Sequence, residues 1–198
     1  MAWKDEPLDI APTKWDDLDA RGRRRVEMLV SQLSEIAAGG EHAKQVDSSG
    51  RKLGHDHNHP LFRFMANSLS HYTVGTFMGS TAGAQDVLRS VNLGPVADEL
   101  DELLAKPVGG HTLKTFLEEQ RNTSVAHNTF DPKHMLKRVF SEADLNNPEI
   151  LQQYRDALTE FLDTVKITLV LLRRVYPVAA ASEDARWQPV DNPPSSEP

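Results

Sequence analysis

The sequence places an arginine and a histidine six residues apart in the segment RNTSVAH, which runs from Arg121 to His127. Guanidinium groups bind phosphate and imidazoles transfer protons near neutral pH, so this pair is the first candidate for chemistry. A regular helix turns about 100° per residue and would point the two side chains roughly 120° apart, with a rise of about 9 Å. Either the helix ends or distorts between them, or two copies of the segment face each other across a two-fold axis and a phosphate meets both chains.

The segment resembles the active-site motif of the HEPN ribonucleases, in which an arginine and a polar residue are followed, after a short spacer, by a histidine. Arg121, Asn122 and His127 supply that pattern, and the stretch RNTSVAHNTFD at 121–131 is especially similar to the abortive-infection and toxin branches. The resemblance is strong over 110–176 and only architectural before it. It implies an all-α, HEPN-like helical bundle that forms a homodimer with paired motifs and cuts RNA without a metal ion or other cofactor.

The resemblance also implies a role for each motif residue. Arg121 holds the scissile phosphate and stabilises the negative charge that the transition state adds, Asn122 orients His127 or the phosphate, and His127 shuttles the proton. The nucleophile is the ribose 2′-hydroxyl, so the product is a 2′,3′-cyclic phosphate and DNA is not cut. The family branch implies a toxin or phage-defence effector, with an antitoxin as a candidate partner.

Two basic clusters are candidates for contact with RNA. The first follows the motif by a few residues and is predicted to bind substrate; it comprises Lys133, Lys137 and Arg138. The second is a run of four arginines within 21–25, which could contact RNA phosphates or an acidic partner. For this second cluster a solvated helix face, with the aliphatic stems lying over the core, is the more common situation.

The motif also has an ordinary structural interpretation. Arg121 could be a surface partner of Glu118 or another carboxylate, and His127 could cap a helix C-terminus, where a partly charged imidazole is favourable. The main rival function is therefore a non-catalytic, dimeric scaffold or interaction module with the same bundle. A third hypothesis is a metalloenzyme that uses three alternating histidines, which are His55, His57 and His59. Such a site needs rigidly held ligands, so a solvated loop is the favoured interpretation and no metal ligand is predicted.

Composition limits the remaining possibilities. With 198 residues and 39% hydrophobic content, the chain can bury one good core, which predicts one main domain. The absence of cysteine excludes disulfides, iron–sulfur clusters and thiolate zinc sites, and no secretory signal or membrane span is expected, so the predicted location is cytoplasmic. A formal net charge of −7 argues against a surface that is basic throughout, although a local basic groove remains compatible with it.

Apolar residues recur at helical spacing along most of the chain. They predict a helix over 15–38 that ends at Gly39-Gly40, another from Pro60 to about Met78, and a continuation or restart over 81–91. A short helix over 96–104 follows, and then a helix that Thr112 or another polar residue near it can cap and that runs toward His127. Another short helix is predicted over 132–140. The clearest is the last, which begins at Pro148 and ends before Pro177.

The segments outside these helices set the predicted domain organisation. Residues 1–14 are expected to form a loose arm that Trp3 or Trp15 could pin, and residues 15–177 the helical-bundle domain with a histidine-rich loop at 39–59. Residues 178–198, rich in proline, serine and acidic side chains, are expected to be a disordered tail. No alternating strand pattern is present, so the predicted fold class is all-α.

Overall fold

The computed structural model describes residues 11–52, 60–78, 83–119, 121 and 147–186. A 3₁₀ turn at Trp15–Asp17 precedes the first α-helix. The helices are α1 (Ala20–Lys52), α2 (Pro60–Phe77), α3 (Ala84–Ser90), α4 (Gly94–Leu104), α5 (described over 113–119 and at residue 121), α6 (Pro148–Val175) and α7 (Pro177–Arg186). The all-α prediction is confirmed, and the long helix near the C-terminus has the predicted bounds.

A single short hairpin interrupts the helices in the part of the chain that the structure describes. Its strands, β1 (Pro107–Val108) and β2 (His111–Thr112), are antiparallel. The turn uses Gly109 and Gly110, whose φ angles of 56° and 79° lie in the left-handed region that glycine tolerates without steric cost. The sequence analysis predicted no strand, because two-residue strands are too short to show an alternating pattern.

Helix α1 is the centre of the bundle and packs against α2, α6 and α7. It runs antiparallel to α6: the Arg173 guanidinium donates to Ser34 Oγ at 3.4 Å near one end, and Lys166 pairs with Glu41 further along. Helices α3 and α4 form a pair that packs on α1 and α6 respectively. The core between these helices is aliphatic, apart from a few aromatic residues such as Phe77 and Phe161, whose rings meet edge to face at 5.2 Å.

The predicted bounds of the first helix are wrong at both ends. Residues Trp15–Asp17 form the 3₁₀ turn, and α1 begins at Ala20 after Asp19, whose carboxylate accepts a hydrogen bond from the Gly22 N–H at 2.6 Å. The helix does not stop at Gly39-Gly40 but continues to Lys52, so the predicted loop is wrong over 39–52. A glycine costs a helix about 1 kcal/mol relative to alanine, which tertiary packing can outweigh. The rest of the predicted loop, with its three alternating histidines, lies outside the described residues.

The predicted arm and tail are corrected where the structure describes them. In residues 11–14, the Thr13 N–H donates to the Val91 carbonyl at 3.1 Å, and the Thr13 carbonyl accepts from the Tyr176 hydroxyl at 2.8 Å. Trp15 packs against the Tyr176 ring at 6.0 Å, as expected of a pinning residue. The tail prediction is wrong over 178–186, because α7 forms there and buries Ala179. Residues 1–10, with Trp3, and residues 187–198 lie outside the described residues.

Most of the other helix predictions are confirmed. Helix α2 has the expected bounds, the chain restarts as α3, and α4 forms with Pro95 in its first turn. The predicted helix over 132–140 lies outside the described residues. None of the helices that the structure describes combines the length and the apolar character that crossing a bilayer requires.

Candidate functional site

Helix α5 carries the first residue of the motif, and a side-chain cap fixes its start. The Thr112 hydroxyl accepts a hydrogen bond from the Thr115 N–H at 3.2 Å and lies 3.0 Å from the Thr115 hydroxyl. A threonine in this position satisfies a backbone N–H that has no partner within the helix. The predicted cap at Thr112 is therefore confirmed.

The hairpin before α5 is attached to α6 by polar contacts. The Gly109 N–H donates to Gln153 Oε1 at 3.0 Å, and the Lys106 ammonium forms an ion pair with Glu160. The Leu113 N–H donates to the Lys106 carbonyl at 2.8 Å and so joins the first residue of α5 to the same support. The position of α5 is thus tied to the first half of α6.

Packing holds the body of α5 in the same place. Leu113, Phe116 and Leu117 are buried and form one face of the helix. The Phe116 ring stacks on the Tyr154 ring of α6, with centroids 4.2 Å apart and an interplanar angle of 27°. Burial raises the pKa of the Tyr154 hydroxyl well above its ordinary value, so this side chain is neutral at any physiological pH.

Arg121 lies at the edge of this buried face. It is helical and half-buried, and it follows Leu117 by four residues, which places the two side chains on neighbouring parts of the helix surface. The other predicted site residues, Asn122 and His127, lie outside the described residues. So do the predicted substrate-binding residues, which are Lys133, Lys137 and Arg138. The structure places only the arginine end of the motif, and the pairing of Arg121 with His127 remains a prediction.

No protein family matches this chain. No curated protein and no solved structure matches it either.

The arginine cluster of α1 lies at the other end of the bundle from Arg121. Trp15, beside this cluster, contacts Tyr176, whereas α5 contacts Tyr154. Tyr154 and Tyr176 are separated along the chain by a length that corresponds to roughly 33 Å at about 1.5 Å per helical residue. Within one chain the cluster therefore does not contribute to the same site as Arg121.

One arginine of this cluster has a structural role. The Arg23 guanidinium donates to the carbonyls of Trp15 and Asp16, each at 3.2 Å, and lies 5.8 Å from the centre of the Trp15 ring. For this residue the predicted packing of a long cationic side chain over apolar surface is confirmed.

The remaining histidines within the described ranges are surface residues. His42, His71 and His111 are exposed, and no group of three metal-ligating side chains comes together in the part of the chain that the structure describes. His71 lies against the Tyr72 ring at 6.3 Å.

Sequence analysis missed the residues that position α5. The apolar period of the last helix includes Tyr154, but nothing in the sequence predicts that its ring stacks on Phe116. Gln153 and Glu160 carried no signal, because a glutamine and a glutamate on a long amphipathic helix are typical of a solvated face. Their partners, at Gly109 and Lys106, are more than forty residues away in the sequence.

Proposed function

We propose that this chain is a HEPN-type endoribonuclease that cuts RNA by attack of the ribose 2′-hydroxyl and needs no metal ion. The observation that supports this proposal best is the position of Arg121. The motif begins on a helix that is capped by Thr112 and stacked on α6 through Phe116, and its arginine lies at the edge of the buried face. An arginine on a rigid, packed element is a suitable anchor for a phosphate.

Half-burial suits Arg121 for this role. A guanidinium keeps its charge at any working pH, and its planar fork can donate two parallel hydrogen bonds to one phosphate. Partial exclusion of water strengthens the interaction between the cation and the phosphate. In the proposed reaction Arg121 thereby stabilises the extra negative charge of the pentacoordinate transition state.

The proposed step balances without a metal ion or a redox partner. His127 takes the proton from the 2′-hydroxyl, the 2′-oxygen forms a bond to phosphorus, and the bond from phosphorus to the 5′-oxygen breaks. A protonated His127 gives a proton to the departing 5′-oxygen. The products are a 2′,3′-cyclic phosphate and a 5′-hydroxyl, and Asn122 orients the imidazole or the phosphate.

The proposal includes a homodimer. Because Arg121 and His127 diverge on a regular helix, we propose that Arg121 of one chain and His127 of its partner act on the same phosphate across a two-fold axis. The biological role that follows is a toxin or phage-defence effector in the cytoplasm, which an antitoxin would restrain. Lys133, Lys137 and Arg138 would contact the RNA beyond the scissile phosphate.

Cleavage in the presence of a chelator tests the chemistry. Wild-type protein should cut RNA in EDTA, while Arg121→Ala and His127→Ala should each lower the rate by about a hundredfold or more. Lys114→Ala is the matched control, because Lys114 is an exposed cation on the same helix, and it should leave cleavage unchanged. Mass spectrometry of the fragments should show cyclic phosphate ends, and a 2′-deoxy substitution at the cut site should block cleavage.

Complementation tests the shared site. A mixture of the Arg121→Ala and His127→Ala chains, unfolded and refolded together, should form heterodimers with one complete site and recover about a quarter of wild-type activity. Each variant refolded alone should remain inactive. An absence of recovery, with heterodimers verified by native mass spectrometry, would contradict the shared site but not the nuclease itself.

Two results would favour the rival hypotheses. Purified wild-type dimer that leaves RNA uncut would support the scaffold. Cleavage that stops in chelator and is lost in His57→Ala would support the metalloenzyme.

Toxicity on expression tests the proposed biological role. Any toxicity of the wild-type chain should disappear in His127→Ala, and its persistence in that variant would count against the mechanism.

A further inference from the structure

A groove separate from the proposed nuclease site lies beside the N-terminal half of α1. It has a volume of about 280 Å³ and is bounded by α1, the end of α2 and α3. Gly75 and Thr76 of α2 and Ala84 and Val87 of α3 form one wall. The α1 side consists of Arg21, Arg25, Met28, Leu29 and Gln32.

The charge of this groove is unbalanced. Arg21 and Arg25 are one helical turn apart, and none of the described residues that line the groove carries a carboxylate. Among the described residues neither guanidinium has a salt bridge or a hydrogen bond, in contrast to Arg23 and to Arg89, which binds two aspartates. Like charges at this spacing repel each other, so an anionic ligand would relieve a cost that the free protein carries.

Part of the groove lining is aliphatic. Leu29, Ala84 and Val87 contribute aliphatic surface to it, and Met28 leaves 51% of its surface exposed. Burying exposed methionine surface is favourable, and arginine and methionine are both enriched at protein interfaces. A ligand that fits must therefore present carboxylates together with aliphatic side chains.

These features favour a peptide over a nucleic acid. None of the described lining residues is aromatic, so these residues offer bases no surface on which to stack. Cβ atoms one helical turn apart are about 5–6 Å from each other, which matches carboxylates at the same spacing on a second helix.

We infer that this groove binds an acidic amphipathic helix of a protein partner. Two carboxylates of that helix, one turn apart, pair with Arg21 and Arg25, and its aliphatic side chains cover Met28 and the aliphatic part of the groove lining. The docked helix lies at the end of the bundle opposite Arg121. The interaction therefore does not depend on the proposed nuclease activity, and either can fail without the other.

Selection from a random peptide library displayed on phage, with the full chain as bait, tests the inference without assuming a partner sequence. Selected peptides should carry two acidic residues at i and i+4 beside aliphatic residues. Their affinity, measured by fluorescence anisotropy with synthetic peptide, should fall about tenfold or more in Arg21→Gln and in Arg25→Gln. Arg24→Gln is the matched control, because Arg24 lines the neighbouring cavity with Trp15 and not this groove.

Three outcomes would overturn the inference. Selected peptides that lack acidic residues would remove the charge argument. Peptides that bind Arg21→Gln and Arg25→Gln as tightly as wild type would place the contact elsewhere. Binding of a single-stranded RNA oligonucleotide that is lost in these two variants, without any selected acidic peptide, would assign the groove to RNA.

Discussion

Arg21 lies at the N-terminus of one helix and Arg89 at the C-terminus of another. Arg21 is the second residue of α1, where the helix dipole is positive and where Arg25 adds a like charge one turn away. Arg89 is in the last turn of α3 and binds Asp101 and Asp98 at 2.7 and 2.8 Å. These hydrogen bonds raise the pKa of Arg89, first through Asp101 and then through Asp98. The local electrostatic environment is therefore unfavourable for the charge of Arg21 and favourable for the charge of Arg89.

This contrast predicts that Arg21→Gln stabilises the protein. Removal of a cation from the first turn of α1 should raise the free energy of unfolding by about 0.3–1 kcal/mol at low ionic strength, because two unfavourable interactions disappear. Urea unfolding at low and high salt measures the effect, which salt should reduce by screening.

Arg89→Gln is the control at a helix C-terminus. It should lower stability, because its two carboxylate partners lose their cation. A loss of stability in Arg21→Gln would show that its guanidinium has a favourable partner and would also weaken the case for an unpaired arginine groove.

Helix α1 continues through two consecutive glycines because α2 and α6 pack closely against it there. A Cβ atom on Gly39 would lie 3.7 Å from the Leu69 side chain, an ordinary contact, whereas one on Gly40 would lie 3.2 Å from the Leu162 side chain. Gly40 is buried against α6, so its lack of a side chain lets the two helices approach.

The two glycines should therefore respond differently to alanine. Gly39→Ala should raise the free energy of unfolding by about 0.5–1 kcal/mol, because alanine has less backbone entropy to lose and meets no tight contact. Gly40→Ala has the same intrinsic gain, but Leu162 must shift, so its effect should be smaller or of opposite sign. Chemical denaturation of both variants measures the difference, and equal stabilisation would contradict the close approach of α6.

For the molecule as a whole, two tyrosine hydroxyls make the free energy of unfolding depend on pH in the alkaline range. Burial raises the pKa of Tyr154 and of Tyr176 above the unfolded value of about 10. Above that pH the unfolded chain loses these protons while the folded protein retains them. The stabilisation is therefore complete below about pH 10 and declines as the pH rises toward the folded pKa.

Unfolding measured from pH 8 to 11 should show this decline, and Tyr154→Phe should reduce its slope. Any constant offset of Tyr154→Phe at neutral pH reflects lost packing or polar contacts and does not bear on the slope. A pH dependence that is the same in wild type and Tyr154→Phe would contradict the burial of this hydroxyl.

Local patterns in the sequence were sufficient for several elements. The bounds of α6 were predicted from Pro148, Pro177 and a long apolar period, and the cap at Thr112 from its residue type. The predictions failed where packing outweighs propensity: α1 passes Gly39-Gly40, and α7 forms from a segment whose composition suggested disorder. The candidate site divides in the same way, since the motif is visible in the sequence but the support of its helix by Tyr154, Gln153 and Glu160 is not.

The sequence alone determined the fold class and the candidate chemistry, because helical periodicity, caps and the identities of Arg121, Asn122 and His127 are local properties of the chain. Three features could not be predicted and are visible only in the folded chain: the end of α1, the attachment of α5 to α6, and the groove that Arg21 and Arg25 share with residues of α2 and α3. They arise from contacts between segments far apart in the chain, whose free energies exceed the local preference of any single residue.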